Sequence, residues 1–208
     1  RSRGAVLIWS DTALYQMSLI GAPFVFGFQQ LGSACGCVGL HAAVESNGRS
    51  FWMGIDSFFA FDGSVQKIPC SVEDYVFKDI DEASQKDTFA GLNTEFNEVT
   101  WFYCSSGSNV INRSVTYNYL ENVWYVGTLA RSSWFDKGVY GFPQAIEFDT
   151  ADTTSTISTI TGLTAGRSFL YSHENGNDAD GVALSSSITS GDFVIPEAGE
   201  SLMSVKRF

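Results

Sequence analysis

The sequence predicts an all-β fold: β-propeller-like, repeated four-stranded sheets with one short bridging helix. Three observations carry that expectation. Aromatics are plentiful, with 17 Phe, 8 Tyr and 5 Trp, while Gly numbers 20 and Pro only 4, a mixture that suits many short strands joined by tight turns. Short apolar runs are punctuated by Asn-Gly and Asp-Gly, the strongest short hairpin signals. A strand–turn–strand phrase also recurs: Ile8-Trp9-Ser10-Asp11-Thr12-Ala13-Leu14-Tyr15 returns as Met53-Gly54-Ile55-Asp56-Ser57-Phe58-Phe59, with Asp11 and Asp56 45 residues apart. A period of that size belongs to stacked or radially arranged β units.

Taken in order, residues 5–9 and 13–19 read as strands around Ser10-Asp11-Thr12, with Gly21-Ala22-Pro23 closing the hairpin. Residues 41–44 and 49–53 flank Glu45-Ser46-Asn47-Gly48, a hairpin, and 58–61 runs into Asp62-Gly63. The helix is expected over 71–80, with Ser71 as N-cap, acids in the first turn, and Val72, Tyr75, Val76 and Ile80 on one face. Strands at 88–92, 98–103, 113–119 and 123–127 make a further four-stranded unit, the last two joined through Glu121-Asn122. The Thr-, Ser- and Asp-rich stretch 149–166 is expected to be an excursion on the rim, after which Ser168-Phe169-Leu170-Tyr171 resumes the repeat. Strand character continues at 183–189, 193–195 and 201–208. The expected division is a propeller-like portion of about three blades over 1–181, then the start of a following β-sheet platform over 182–208.

A net charge of −11 from 12 basic and 23 acidic residues opposes a surface that grips nucleic acid, because affinity for phosphate comes mainly from Lys and Arg. An acidic wall can instead keep a passing polyanion from sticking. Four cysteines, Cys35, Cys37, Cys70 and Cys104, lack the spacing of a disulfide framework or a zinc pair and read as buried free thiols. No apolar run approaches 18 residues, so no membrane insertion is expected. The chain opens without Met and ends in a strand-like run, which reads as a stretch of a longer protein.

Only two histidines are present. His41, in Leu40-His41-Ala42-Ala43-Val44, is expected to be an interior, hydrogen-bonded imidazole. His173 opens His173-Glu174-Asn175-Gly176-Asn177-Asp178-Ala179-Asp180-Gly181, whose oxygens from Glu174, Asp178 and Asp180 are the candidate metal ligands. The register fails the EF-hand pattern: with Gly181 sixth, Gly176 falls at the first ligand position and Ser187 at the bidentate acid. A solvated turn accounts for the same residues. No nucleophile elbow or phosphate-cradling loop is present, and no cofactor is expected. Asp56, Asp62, Glu73 and Asp74 are nominees for a glycosidase pair, of a kind any acidic protein offers. The aromatic phrases Phe51-Trp52, Trp101-Phe102-Tyr103, Tyr117-Asn118-Tyr119 and Trp124-Tyr125 suit core packing, with sugar stacking as the alternative and Trp124 as its test residue.

The phrases Gly36-Cys37-Val38-Gly39-Leu40-His41-Ala42-Ala43, Phe51-Trp52-Met53-Gly54, Pro69-Cys70-Ser71-Val72-Glu73-Asp74-Tyr75-Val76-Phe77 and Phe96-Asn97-Glu98-Val99-Thr100-Trp101-Phe102-Tyr103 resemble the propeller-bearing tail nozzle (tail tubular) proteins of short-tailed bacteriophages. The resemblance continues through Tyr117-Asn118-Tyr119, Gly127-Thr128-Leu129-Ala130-Arg131, His173-Glu174 and Asp180-Gly181. It implies a structural virion protein without catalytic residues, located in the phage tail and assembled in the host cytoplasm. Its implied partners are further copies in a ring, a hexamer by the family pattern, together with an adaptor or tail-tube protein, tail fibres, and genomic DNA passing without specific binding. The competing functional expectation is a host-surface glycan-binding propeller module.

Overall fold

The computed structural model of the chain describes residues 6–149, 167–179 and 182–183. It divides into two compact units, Arg1–Asn175 and Gly176–Phe208. The first is mostly β, its strands running in chain order as antiparallel meanders. β1 (Val6–Trp9), β2 (Ala13–Leu19) and β3 (Phe26–Ser33) form one sheet. β4 (Ala43–Ser46), β5 (Arg49–Met53), β6 (Phe58–Phe61) and β7 (Val65–Lys67) form the second. After α1 (Glu73–Asp79), the third contains β8 (Phe89–Asn93), β9 (Glu98–Tyr103), β10 (Arg113–Asn118) and β11 (Val123–Gly127). The fourth is β12 (Ser133–Phe135), β13 (Gln144–Asp149) and β14 (Arg167–Ser172). In the second unit, β15 (Asp178–Ala179) pairs with β16 (Val182–Ala183). The expected excursion at 149–166 lies almost wholly outside the described residues, as do Asp180, Gly181 and the strands expected beyond 183.

Local chemistry explains the hairpins. Asn47 and Gly48 take φ of 52° and 77°, the left-handed geometry a two-residue turn between β4 and β5 requires. Asn122, at φ 56°, does the same work before β11. Strands alternate their side chains between faces, and in the second sheet both faces are covered. Phe51, Met53, Phe58 and Ala60 pack against Val99, Trp101, Tyr103, Val115, Tyr117 and Trp124 of the third sheet. Trp52, Phe59 and Phe61 point the other way, onto Leu14 and Leu31 of the first. The far face of the third sheet meets the fourth through Phe102 and Trp134, whose rings lie 5.7 Å apart. Gly91 permits that approach, since a Cβ there would fall 2.6 Å from the Trp134 indole.

The recurrent phrase is the same hairpin in two consecutive sheets, but its register is 44 residues. Trp9 pairs with Leu14 and Met53 with Phe58, and the Ser10 amide bonds Ala13 O at 2.9 Å as the Gly54 amide bonds Ser57 O at 2.8 Å. Both pairs are related by 44, so Asp11 corresponds to Ile55 and Asp56 to Thr12. What repeats is the four-residue connection and the bulky residues flanking it; the aspartates occupy different turn positions. The crossovers repeat too. The segment entering the second sheet bonds the turn behind it, Cys37 N to Ser10 O at 3.1 Å, and the one entering the third does so through Gln85 Nε2 to Ile55 O at 3.2 Å. At the first crossover Gly36 lies so close to Asp11 and Thr12 that any Cβ would collide with their backbone.

The helix departs from expectation in two details. It starts at Glu73 with Val72 as a cap that makes no side-chain bond, so Ser71 does not serve as N-cap. Tyr75 is half exposed, and Phe77 takes its place against the core, 5.3 Å from Phe58. Tertiary packing sets that orientation: Asp79 at the helix end accepts the Tyr103 hydroxyl at 3.2 Å and lies 3.5 Å from Arg113 Nε. Gly21-Ala22-Pro23 does not close the first hairpin but leads into β3, a strand the local pattern did not suggest. Among the described residues no helix is long and apolar enough to cross a membrane.

Candidate functional site

Where β11 leaves the third sheet, the chain turns through Thr128 to Ser132 and buries Arg131, which is only 9% exposed. Its Nη1 donates to Glu147 Oε2 on β13 at 2.6 Å and to Ala130 O at 2.8 Å. Its Nε donates to His173 Nε2 at 3.0 Å, and the guanidinium lies 4.2 Å from the Tyr171 ring centroid. Antiparallel pairing of β13 with β14 delivers Glu147 and Tyr171 from facing strands, and His173 is fixed as its amide bonds Pro143 O at 2.8 Å. The His173 ring also rests 4.8 Å from Trp134.

A buried cation needs paired charge and filled hydrogen bonds, and this cluster supplies both. Because Nε2 accepts from Arg131, the neutral imidazole carries its proton on Nδ1. Burial, and then the adjacent Arg131 charge, press the His173 pKa down to about 4. Around neutral pH the imidazole is therefore an acceptor in a structural clamp.

The pH consequence has a definite sign. The unfolded chain binds a proton at His173 that the folded chain refuses between about pH 6.5 and 4, so stability is full above the upper value and falls as acid is added. Full linkage for that shift is about 3 kcal/mol, and solvent screening at this half-buried site reduces it to about 1–2 kcal/mol. Urea unfolding at pH 7 and pH 5 is expected to show this acid loss in the parent and a flatter profile in His173→Asn.

The structure assigns other places to the remaining sequence candidates. Glu174 is exposed at φ 57°, Asp178 is exposed at the start of β15, and Asp180 lies outside the described residues. Among the described residues, no group of three or more His, Cys, Asp or Glu is placed to hold a metal ion. His41 is exposed, contrary to expectation: it lies just ahead of β4, where its backbone bonds the neighbouring sheet, Ala90 N donating to His41 O at 2.8 Å, while its side chain is left in solvent. Of the glycosidase nominees, Glu73 pairs with Lys67 at 2.9 Å and Asp74 with Lys78 at 3.2 Å, while Asp56 and Asp62 occupy separate turns. Cys35 and Cys104 are buried and Cys37 and Cys70 half-buried; all four are free thiols. Burial pushes the Cys70 pKa up to about 11, which keeps it protonated.

Trp124 is 8% exposed, stacks on Tyr117 at 4.4 Å and donates Nε1 to Pro69 O at 2.9 Å, so it is core and unavailable to a sugar. The exposed apolar surface lies elsewhere. The tip of the β2–β3 hairpin presents Leu19, Ile20, Phe24, Val25, Phe26 and Phe28, each more than half exposed. Sequence reasoning passed over this tip, although Phe24-Val25-Phe26-Gly27-Phe28 carries the signal: a dense apolar run beside a turn, on a strand whose outer side no described residue pairs. No protein-family model matches this chain, and no curated protein is significantly similar to it.

Proposed function

We propose that this protein is a structural subunit of a bacteriophage tail, forming a ring with further copies of itself that lines or supports the channel through which DNA leaves. The observation that carries the reading is the β2–β3 tip, where six large apolar side chains project from one hairpin into solvent. Six exposed large apolar side chains on one hairpin tip are costly in water and mark an interaction surface. Ring closure between identical subunits is one economical way to cover it. The net charge of −11 supports the second half of the proposal, since like charge along a duct keeps a nucleic acid moving without adhesion. The resemblance of several sequence phrases to tail nozzle proteins points the same way, and an adaptor or tail-tube protein is the corresponding partner at the ends of the ring.

Light scattering and negative-stain electron microscopy of the protein test this directly. Closed rings are expected, and Phe24→Asp combined with Phe28→Asp is expected to raise the concentration needed for assembly at least tenfold while leaving the unfolding midpoint nearly unchanged, because both side chains are already in water. A protein that remains monomeric at every concentration, or a double variant that assembles like the parent, overturns the reading.

A further inference from the structure

We propose that the cleft between β1 and β4 is an acceptor groove for an extended polypeptide strand, which lies antiparallel along the edge of β1 that no described residue pairs and offers a backbone carbonyl to the indole of Trp9.

The repeat defines the position. The 44-residue register equates β1 and β2 with β5 and β6. In the second and third sheets a first strand, β4 or β8, pairs antiparallel with the strand that follows it. Among the described residues nothing pairs with the outer edge of β1. First strands also lie side by side from sheet to sheet. His41, just ahead of β4, bridges Phe89 of β8 in parallel, and Trp134 of β12 donates to Leu92 O of β8 at 2.7 Å. The position along β1 and next to β4 continues this row. A cleft of about 160 Å³ is found there, lined by Val6, Leu7 and Trp9 from one side and Ala43 and Val44 from the other. It shares Trp9 and Ala43 with a wider cleft of about 540 Å³ that runs past Ser10 and Asp11.

Trp9 supplies an independent sign of an occupant. Of the five tryptophans, four donate their indole N–H to a backbone carbonyl: Trp52 to Cys35, Trp101 to Ala42, Trp124 to Pro69 and Trp134 to Leu92. Trp9 Nε1 is buried with no partner. Buried donors are almost always satisfied, and an orphan calls for an explanation. In two of the four satisfied cases the acceptor belongs to a first strand, or the residue leading into it, of the sheet next to the tryptophan's own: Leu92 in β8 for Trp134 and Ala42 ahead of β4 for Trp101. A strand laid on β1 would bring main-chain carbonyls to the same side of the sheet row.

The register also sets the chemistry of the occupant. In the second sheet Ala43 stands opposite Trp52 and Val44 opposite Phe51, and the repeat equates Trp52 with Ile8 and Phe51 with Leu7. The strand that fits therefore carries a small residue opposite Ile8 and a β-branched or similar apolar residue opposite Leu7. It must contain no proline where it donates to the edge, and main-chain bonds give it affinity as in other strand-addition complexes. The partner is an extended peptide of at least four residues with the pattern small–apolar–polar–small.

The probe is a blocked hexapeptide copying residues 41–46, titrated into the whole chain with the indole N–H groups followed by nitrogen-15 NMR. The expected result is that one indole resonance, assigned to Trp9 by its absence in Trp9→Phe, moves downfield and exchanges with water at least tenfold more slowly as peptide binds. Trp9→Phe is expected to weaken binding at least fivefold. The same peptide methylated on alternate amide nitrogens, tested on the unaltered protein, is expected not to bind. The proposal is overturned if the Trp9 resonance is unmoved at millimolar peptide, if the methylated peptide acts like its parent, or if Trp9→Phe binds the peptide as tightly as the parent protein.

Discussion

Trp101→Ala is expected to destabilise the first unit by about 3–5 kcal/mol, the range for removing a fully buried large aromatic. Trp101 is 0% exposed at the centre of the interface between the second and third sheets. Its ring lies 4.9 Å from Phe58 and 6.1 Å from Trp124, and its Nε1 donates to Ala42 O at 3.0 Å. Truncation removes apolar contact from both sheets at once and takes one of two donors from Ala42 O, which keeps Met53 N at 3.2 Å. Trp101→Phe separates the two contributions: most of the ring is kept, the hydrogen bond is lost, and a cost of about 1–2 kcal/mol is expected. Urea unfolding of both variants, with the slope unchanged from the parent, provides the measurement. An alanine variant losing less than about 1.5 kcal/mol would contradict the two-sheet core described here.

The second large effect concerns the Arg131 clamp. Glu147→Gln is expected to cost about 2–3 kcal/mol, since breaking a buried pair strands the remaining charge, and the partial exposure of Glu147, at 29%, moves the cost below that of a fully enclosed pair. Arg131 cannot discard its charge as a lysine might, so it must either find water or stay unpaired beside Tyr171 and His173. Adding Arg131→Met to the same chain is expected to recover part of the loss. That sign is the decisive feature: if the clamp were merely two independent polar contacts, the double variant would be less stable than Glu147→Gln by the full cost of the second contact.

Much of the strand pattern was legible along the chain because its causes are local. Asn47-Gly48 admits left-handed backbone, so the β4–β5 hairpin falls where the dipeptide stands. The aromatic and β-branched runs at 98–103 and 123–127 became strands over those same residues. The helix was legible in place but not in face: a seven-residue element is too short for its period to choose between Tyr75 and Phe77, and the sheet it packs on made the choice. β3 was missed because it mixes Gly27, Gly32, Gln29 and Gln30 with its apolar residues, which hides any alternation. β12 was missed because three residues cannot display one.

The candidate sites show the same division more sharply. His41 and His173 exchanged roles: the histidine in an apolar run is exposed, and the one opening a polar loop is half-buried against Arg131. Nothing in the neighbouring letters distinguishes them, because Arg131 reaches His173 across 42 residues through the pairing of two strands.

The sequence alone determined the class of structure, the Asn-Gly turn between β4 and β5, and much of the composition of the core, since backbone preference and the two-residue alternation of a strand act between near neighbours. Only the tertiary structure decided which sheets face one another, that the repeat runs at 44 residues with its aspartates out of step, which cation is enclosed, and which apolar groups are left in water. Those outcomes depend on distance in space between residues far apart in the chain, where a side chain's surroundings are set by the sheets that happen to meet there.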